Sequence, residues 1–117
     1  MARELYTINS DPSYRLGAVI ESFCSPNSVR FIRKIEPEYS GNELSAFTIC
    51  YDIVDNLDNQ AGFVETHRSE VAKGVAYDRN QQGYNVFLVP INQQKTAVVS
   101  VKQKVMSQEQ SYSGYQR

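Results

Sequence analysis

The chain is 117 residues long with a mass of 13.3 kDa, which allows one ordinary domain and excludes two. Hydrophobic residues make up 41% of it, which is enough for a core and excludes disorder of the whole chain. Because 12 basic residues oppose 13 acidic ones and the pI is about 5.8, no large positive field attracts nucleic acid or anionic lipid, and any such site must be a local patch.

The first two predicted elements are a strand and a helix. Residues 5–8 are β-prone, and the turn-forming residues that follow end the strand. Asp11 before Pro12 is typical of a helix start, because the aspartate caps the helix and proline suits the first turn. The apolar residues that recur at helical spacing are Leu16, Val19, Ile20 and Phe23. Gly17 and its β-branched neighbours also permit an extended conformation of residues 15–24, so a strand is the alternative here.

The next two predicted elements are strands. Residues 29–36 are rich in β-branched and aromatic side chains, and Pro37, which cannot donate a hydrogen bond to a sheet, ends them. A turn at residues 40–42 leads into residues 44–55, in which apolar side chains occupy both faces. Two-sided apolarity is typical of a central strand.

The second half of the domain is predicted to hold one helix and two strands. Residues 60–73 are predicted as a helix because apolar residues return at helical spacing and Gly74 suits the position after a helix end. Residues 84–89 form a strand by composition, and residues 96–105 alternate apolar with polar side chains. We expect residues 96–105 to lie at a sheet edge, where lysines discourage further pairing.

These elements predict one α+β domain over residues 1–106 and a polar tail over residues 107–117. We expect the tail to be flexible, because it has almost no aliphatic side chains to bury. The order of elements predicts a ferredoxin-like βαββαβ plan with an extra C-terminal strand, in which both helices cover one face of an antiparallel sheet. If residues 15–24 are extended, the alternative is a β-rich barrel or meander with one helix.

The abundance of tyrosine indicates a protein partner. The chain has eight tyrosines, several of them in predicted loops, at element ends or in the tail. Tyrosine offers a large amphipathic contact and is enriched at protein interfaces. We therefore expect a small non-enzymatic interaction or assembly module that docks onto a larger complex or self-associates through an open sheet face or edge. The residues expected to contact the partner are Tyr84, Lys102, Lys104, Tyr112 and Tyr115. Scattered, half-buried tyrosines are the plain alternative.

A second hypothesis is single-stranded RNA binding by the sheet. Residues 5–9 (Leu-Tyr-Thr-Ile-Asn) and 45–48 (Ser-Ala-Phe-Thr) resemble parts of the signatures of RNA-recognition domains, whose sheets stack bases on aromatic rings. The RNA site of this hypothesis consists of Tyr6 and Phe47 from the two resembling stretches, together with Arg30 and Arg33 from residues 29–34, where three cations are interleaved with apolar side chains. Glu43 and Leu44 stand where that family carries a basic residue and a glycine, and the acidic pI disfavours nucleic acid. Ordinary strand positions for both rings are the alternative.

A third hypothesis is a small-ligand or catalytic pocket around His67, the single histidine of the chain. A general base needs a second positioned group, and a catalytic zinc needs about three protein ligands. Cys24 and Cys50 lack metal-site spacing and suit reduced, buried thiols. The sequence contains no GxSxG, Walker, GxGxxG or HExxH motif. We therefore expect a non-enzymatic protein without a cofactor or metal.

Membrane association and export are not indicated. No apolar run approaches the roughly 20 residues that a bilayer-spanning helix needs. The sequence begins Met-Ala-Arg-Glu-Leu-Tyr, without the charged and apolar regions of a signal peptide. We therefore expect no membrane partner and a cytoplasmic location.

Overall fold

The computed structural model describes residues 1–106, which form two helices and six strands. In chain order these elements are β1 (Ala2–Thr7), α1 (Pro12–Phe23), β2 (Arg30–Ser40), β3 (Glu43–Ile53), β4 (Leu57–Arg68), α2 (Ser69–Gln81), β5 (Asn85–Pro90) and β6 (Lys95–Val105). The α+β class is confirmed. The order is roughly that of a ferredoxin-like fold with extra strands, and the sheets are open, so the alternative of a closed barrel does not apply.

The strands form two antiparallel sheets instead of the single sheet that the order alone suggested. The first sheet has the order β1-β3-β2, and the second has the order β4-β6-β5. Strand β3 is the centre of the first sheet, as its two-sided apolarity predicted. The buried core lies between the two sheets and α1. Its inner-face strand residues include Ile32, Phe47, Ile49, Tyr51, Ala97, Val99 and Val101.

Helix α1 forms where its apolar spacing and cap residue predicted, so the helical reading of residues 15–24 is confirmed. The Asp11 carboxylate accepts a hydrogen bond from the Tyr14 backbone N–H at 3.2 Å, and Pro12 occupies the first turn. The four apolar residues of the predicted face are buried in the core: Leu16, Val19, Ile20 and Phe23.

The prediction of a helix over residues 60–73 is wrong. Residues 57–68 form β4, and α2 begins only at Ser69. Side chains on both faces of β4 are partly covered: Val64 belongs to the core side, and Glu65 contacts α2 through Arg79. Because both faces are covered, β4 lacks the alternation of apolar and polar residues that identifies a strand with one solvent-exposed face. Gly74 consequently lies inside α2, whereas the sequence predicted that it follows a helix end. Nothing lies within 4 Å of the position that a Cβ at residue 74 would take.

The prediction that residues 96–105 lie at a sheet edge is also wrong. They form β6, which is the central strand of the second sheet because the unpredicted β4 pairs along its other side. The polar residues Thr96 and Ser100, expected on a wet face, are 6% and 0% exposed because α2 covers them. Lys102 and Lys104 lie beyond this cover, toward the end of the strand.

The two helices pack on opposite faces of the second sheet. Helix α1 lies on the inner face, with Gly17 against Val64, whereas α2 lies on the outer face, with Ser69 bonded to Thr96. Neither helix covers the outer face of the first sheet, which carries the ion-paired side chains Arg3, Lys34 and Glu36. That open face is solvated and carries these charges together with the exposed side chain of Leu5.

Candidate functional site

Three of the predicted partner-binding residues lie together at one end of the second sheet. Tyr84 precedes β5, and Lys102 and Lys104 lie on β6. A solvent-open groove of about 250 Å³ is lined by the two lysines, by Gln60 of β4 and by Asn85 of β5, while Tyr84 contacts it through Lys102. We call it the lysine groove. The other two predicted residues, Tyr112 and Tyr115, lie outside the residues that the structure describes.

The side chain of Lys102 is held in a defined place in the lysine groove. Its Nζ lies 4.5 Å from the centre of the Tyr84 ring, and that ring packs edge-on against Phe63 at 5.3 Å. Gly83 has φ +97°, and a Cβ at this position would lie 3.4 Å from Lys102 Cε, so the lysine stem runs along the glycine. The cation is therefore positioned over an aromatic face, which fixes it at little cost.

The two lysines of the lysine groove have no close ion-pair partner in the described part of the chain. Within residues 1–106, neither Lys102 nor Lys104 has a carboxylate within 4.0 Å. Asp58 stands opposite Lys104 in the β4–β6 register, but the two side chains are not within ion-pair distance, and the Asp58 carboxylate accepts a hydrogen bond from Gln60 at 3.2 Å. Because the last turn of α2 lies nearby, Lys102 also complements the negative end of that helix, which is its ordinary structural role.

The residues of the RNA hypothesis do not form a stacking platform. Phe47 is 0% exposed, and Tyr6 stacks on it at 5.4 Å with its face turned to the core. The Tyr6 hydroxyl donates to Glu4 at 2.7 Å, and burial, followed by this bond, raises the pKa of Tyr6 to about 12. A base could stack on these rings only if the core opened, so the geometry disfavours RNA binding here.

The two arginines of that hypothesis are engaged separately. Arg30 lies 4.1 Å above the ring of Phe23 and pairs with Glu4. Arg33 pairs with Asp52 at 2.5 Å. Each guanidinium is thus neutralised by its own carboxylate, and the two do not combine into one basic stripe.

His67 lies on β4 and not on α2 as predicted. Its Nε2 is 3.2 Å from Glu65 Oε1, and Glu65 also receives two hydrogen bonds of 2.7 Å from Arg79. The bond from Arg79 is the main reason why the pKa of the Glu65 carboxyl is lowered, with His67 adding to it against the opposing effect of burial. The cluster joins α2 to β4, which is a structural role.

The thiols are separate from this cluster. Cys50 is buried, and burial raises the pKa of the Cys24 thiol to about 11, which disfavours the thiolate of Cys24. Among residues 1–106, no three histidine, cysteine or acidic side chains are grouped so that they could hold a metal ion. No helix in this part of the chain is long and apolar enough to span a bilayer.

A second groove, of about 330 Å³, lies between α1 and β4 and was not predicted. It is lined by Tyr14, Ala18 and Glu21 of α1 and by Val64 and Thr66 of β4. The exposed position of Tyr14 on the predicted helix was the available signal, but the groove exists only because residues 57–68 form a strand.

Comparison of the chain with protein-family models, with curated proteins and with solved structures finds no match in any of the three.

Proposed function

We propose that this protein is a small non-enzymatic interaction module, and that its lysine groove docks an acidic segment of a protein partner. The observation that supports this most is the pair Lys102 and Lys104, two cations without a carboxylate partner in residues 1–106 that flank one groove beside Tyr84. Tyrosine is enriched at protein interfaces, and the two lysines supply the charge that an acidic partner would meet.

The spacing of the two lysines suits an extended acidic peptide. Residues two apart on a strand project to the same face about 7 Å from each other, and carboxylates two apart on an extended peptide have the same separation. Lys102 and Lys104 can therefore pair with acidic side chains at alternate positions of a partner strand. Tyr84, packed against Phe63, lies under the Lys102 ammonium and holds that cation beside the groove.

A protein partner fits the charge of the chain better than RNA does. The formal net charge is -1, so the chain as a whole does not attract a long phosphate backbone, whereas two neighbouring lysines match a short acidic segment. The proposal includes a cytoplasmic location, which keeps Cys24 and Cys50 reduced as the free thiols that they are here.

The test is fluorescence anisotropy with a labelled peptide in which glutamate alternates with serine. We expect binding by the full chain at low salt, and an affinity about tenfold weaker in Lys102→Met/Lys104→Met, because two ion pairs are lost. Methionine keeps the aliphatic stem over Tyr84 and so preserves the packing. The matched control Lys73→Met/Lys95→Met, at two exposed lysines away from the groove, should bind like the unsubstituted chain.

Equal binding by both double variants would contradict the proposal, as would the absence of any binding to the acidic peptide. An unstructured oligouridine provides the comparison with nucleic acid. Tighter binding of that RNA than of the peptide, lost in the Lys102→Met/Lys104→Met variant, would replace the proposed partner class with RNA.

A further inference from the structure

Strand β4 is the least protected edge of the two sheets. The edge strands are β1, β2, β4 and β5. Strands β1 and β5 have 6 residues each, and β2 carries Pro37 and two register irregularities. Strand β4 has 12 residues, no proline and, after a single irregularity between Asn59 and Ala61, a regular run to its end. Within residues 1–106 it pairs with β6 alone, so its outer backbone groups are free to pair with another strand.

Helix α1 runs antiparallel to β4 next to this edge, and one side of the helix is not covered by the rest of the described chain. Gly17 lies at the level of Val64, with 3.8 Å between its Cβ position and Val64 Cβ, and Gly62 lies against Cys24. The uncovered side of α1 faces the second groove and carries Tyr14, Ala18 and Glu21. Tyr14 is 73% exposed, and Glu21 has no ion pair in the described part of the chain.

A two-fold axis beside Val64 makes this edge complementary to itself. Antiparallel pairing of β4 with β4 about that axis places Val64 opposite Val64, Phe63 opposite Glu65 and Ala61 opposite His67. No like charges then face each other, and the irregularity at residue 60 lies outside the paired run 61–67.

The same axis makes the two copies of α1 complementary. Because Gly17 is level with Val64, the axis passes near residues 17 and 18 of the helix, and the two helices run antiparallel across it. A residue of one helix then faces the residue of the other helix that lies equally far from this point on its opposite side. Tyr14 of one subunit is therefore opposite Glu21 of the partner subunit. The small residues Gly17 and Ala18 lie between them and allow a close approach. A phenol can donate a hydrogen bond to an unpaired carboxylate.

We infer that the protein forms a symmetric homodimer through β4 and α1. The two second sheets join into one sheet of order β5-β6-β4-β4-β6-β5, and the α1 helices pack beneath the junction. Main-chain hydrogen bonds between the β4 strands and the Tyr14–Glu21 pairs are the contacts that hold it. This inference is independent of the proposed function, because the lysine groove touches β4 only at Gln60, outside residues 61–67.

The test is the molar mass of the full chain by sedimentation velocity from about 1 to about 100 µM, a range that covers ordinary dimer affinities. We expect a species of twice 13.3 kDa for the unsubstituted chain. Ala18→Arg, which fills the second groove at an exposed helix position, should raise the dimer dissociation constant about tenfold or more. The matched control Gly74→Arg, also exposed and on a helix, should leave the dimer intact.

A second pair of variants tests the hydrogen bond itself. Tyr14→Phe should weaken the dimer several-fold, whereas Tyr77→Phe, at a helix tyrosine that is 65% exposed, should not. Circular dichroism establishes that each variant is folded. Hydrogen exchange should slow in residues 61–67 as the concentration rises through the dimerisation range.

Three outcomes would overturn the dimer. They are a monomer at every concentration, equal dimerisation by Ala18→Arg and Gly74→Arg, and protection of residues 61–67 that does not depend on concentration, which would mean that the chain covers its own edge. These outcomes do not affect the proposed function. An Ala18→Arg variant that is monomeric and still binds the acidic peptide would support the proposed function independently of the dimer.

Discussion

Gln103 and Asn59 hydrogen-bond to each other where the two sheets meet. Gln103 Nε2 donates to Asn59 Oδ1 at 3.0 Å and to the Arg30 carbonyl at 2.9 Å, and Gln103 Oε1 accepts from the Ile32 N–H at 3.0 Å. Asn59 Nδ2 donates to the Ser28 carbonyl at 2.9 Å. The two amides therefore connect β6 and β4 of the second sheet with β2 of the first and with the loop after α1.

Gln103→Ala should destabilise the protein by about 2–3 kcal/mol, because it leaves partly buried backbone groups of both sheets without their partner. The measurement is the free energy of unfolding in urea. Gln93→Ala, at an exposed loop glutamine, should change it by no more than about 0.5 kcal/mol. If the two variants proved equally stable, the connection between the sheets would have to lie elsewhere.

Gly62→Ala should be destabilising, because its Cβ would lie 2.4 Å from Cys24 Sγ and 3.1 Å from Ile20 Cγ2. A contact this short forces α1 away from β4, and overpacking of this kind costs about 1–3 kcal/mol. Gly74→Ala, with nothing within 4 Å of the Cβ position, should instead stabilise α2 by about 0.5–1 kcal/mol.

The close approach of α1 to β4 has a direct check in the double variant Gly62→Ala/Cys24→Ala. Removal of the Cys24 sulfur should recover a large part of the loss in unfolding free energy, since the shortest contact is then absent. Strictly additive effects of the two substitutions would show that the sulfur does not cause the strain.

The sequence predicted an element well where several local signals agreed. Helix α1 has a cap aspartate, a proline in the first turn and one apolar face, and all three indicate the same structure. The prediction for residues 57–68 was wrong because Val64 of β4 continues the helical spacing of Val71 and Val75, which do lie in α2, and because both faces of β4 are covered. Helices α1 and α2 cover the two faces of β4, and tertiary contacts of this kind cannot be predicted from a local sequence pattern.

The candidate site was predicted only as a set of residue types. Tyrosine and lysine on predicted loops and strands led to Tyr84, Lys102 and Lys104, which the fold does bring together. The resemblance to RNA-recognition domains placed Tyr6 and Phe47 on a binding face, although their side of the sheet faces the core. Which face of a strand is buried depends on what packs there, so residue type alone does not decide it.

Ser100→Ala should leave stability unchanged or raise it by up to about 1 kcal/mol. Ser100 is 0% exposed, and its hydroxyl has no hydrogen-bond partner in residues 1–106, so folding removes water from it without replacement. Thr96→Val on the same face should be destabilising, because Thr96 Oγ1 lies 2.9 Å from Ser69 Oγ and the change leaves that serine unpaired. Thermal unfolding compares the two, and a marked loss of stability in Ser100→Ala would reveal a partner for this hydroxyl.

Glu65 should make the stability of the protein depend on pH in the acidic range. Its folded pKa is lowered, chiefly by the hydrogen bonds from Arg79, so its contribution is complete above the ordinary glutamate pKa of about 4.3 and disappears as the pH falls through the folded value. The difference in unfolding free energy between the unsubstituted chain and Glu65→Gln should therefore be larger at about pH 7 than at about pH 3. Glu70→Gln, at a carboxylate that is 70% exposed at the start of α2, serves as the control, with a small difference at both pH values. A Glu65→Gln deficit that is the same at both pH values would mean that Glu65 acts through packing and not through its charge.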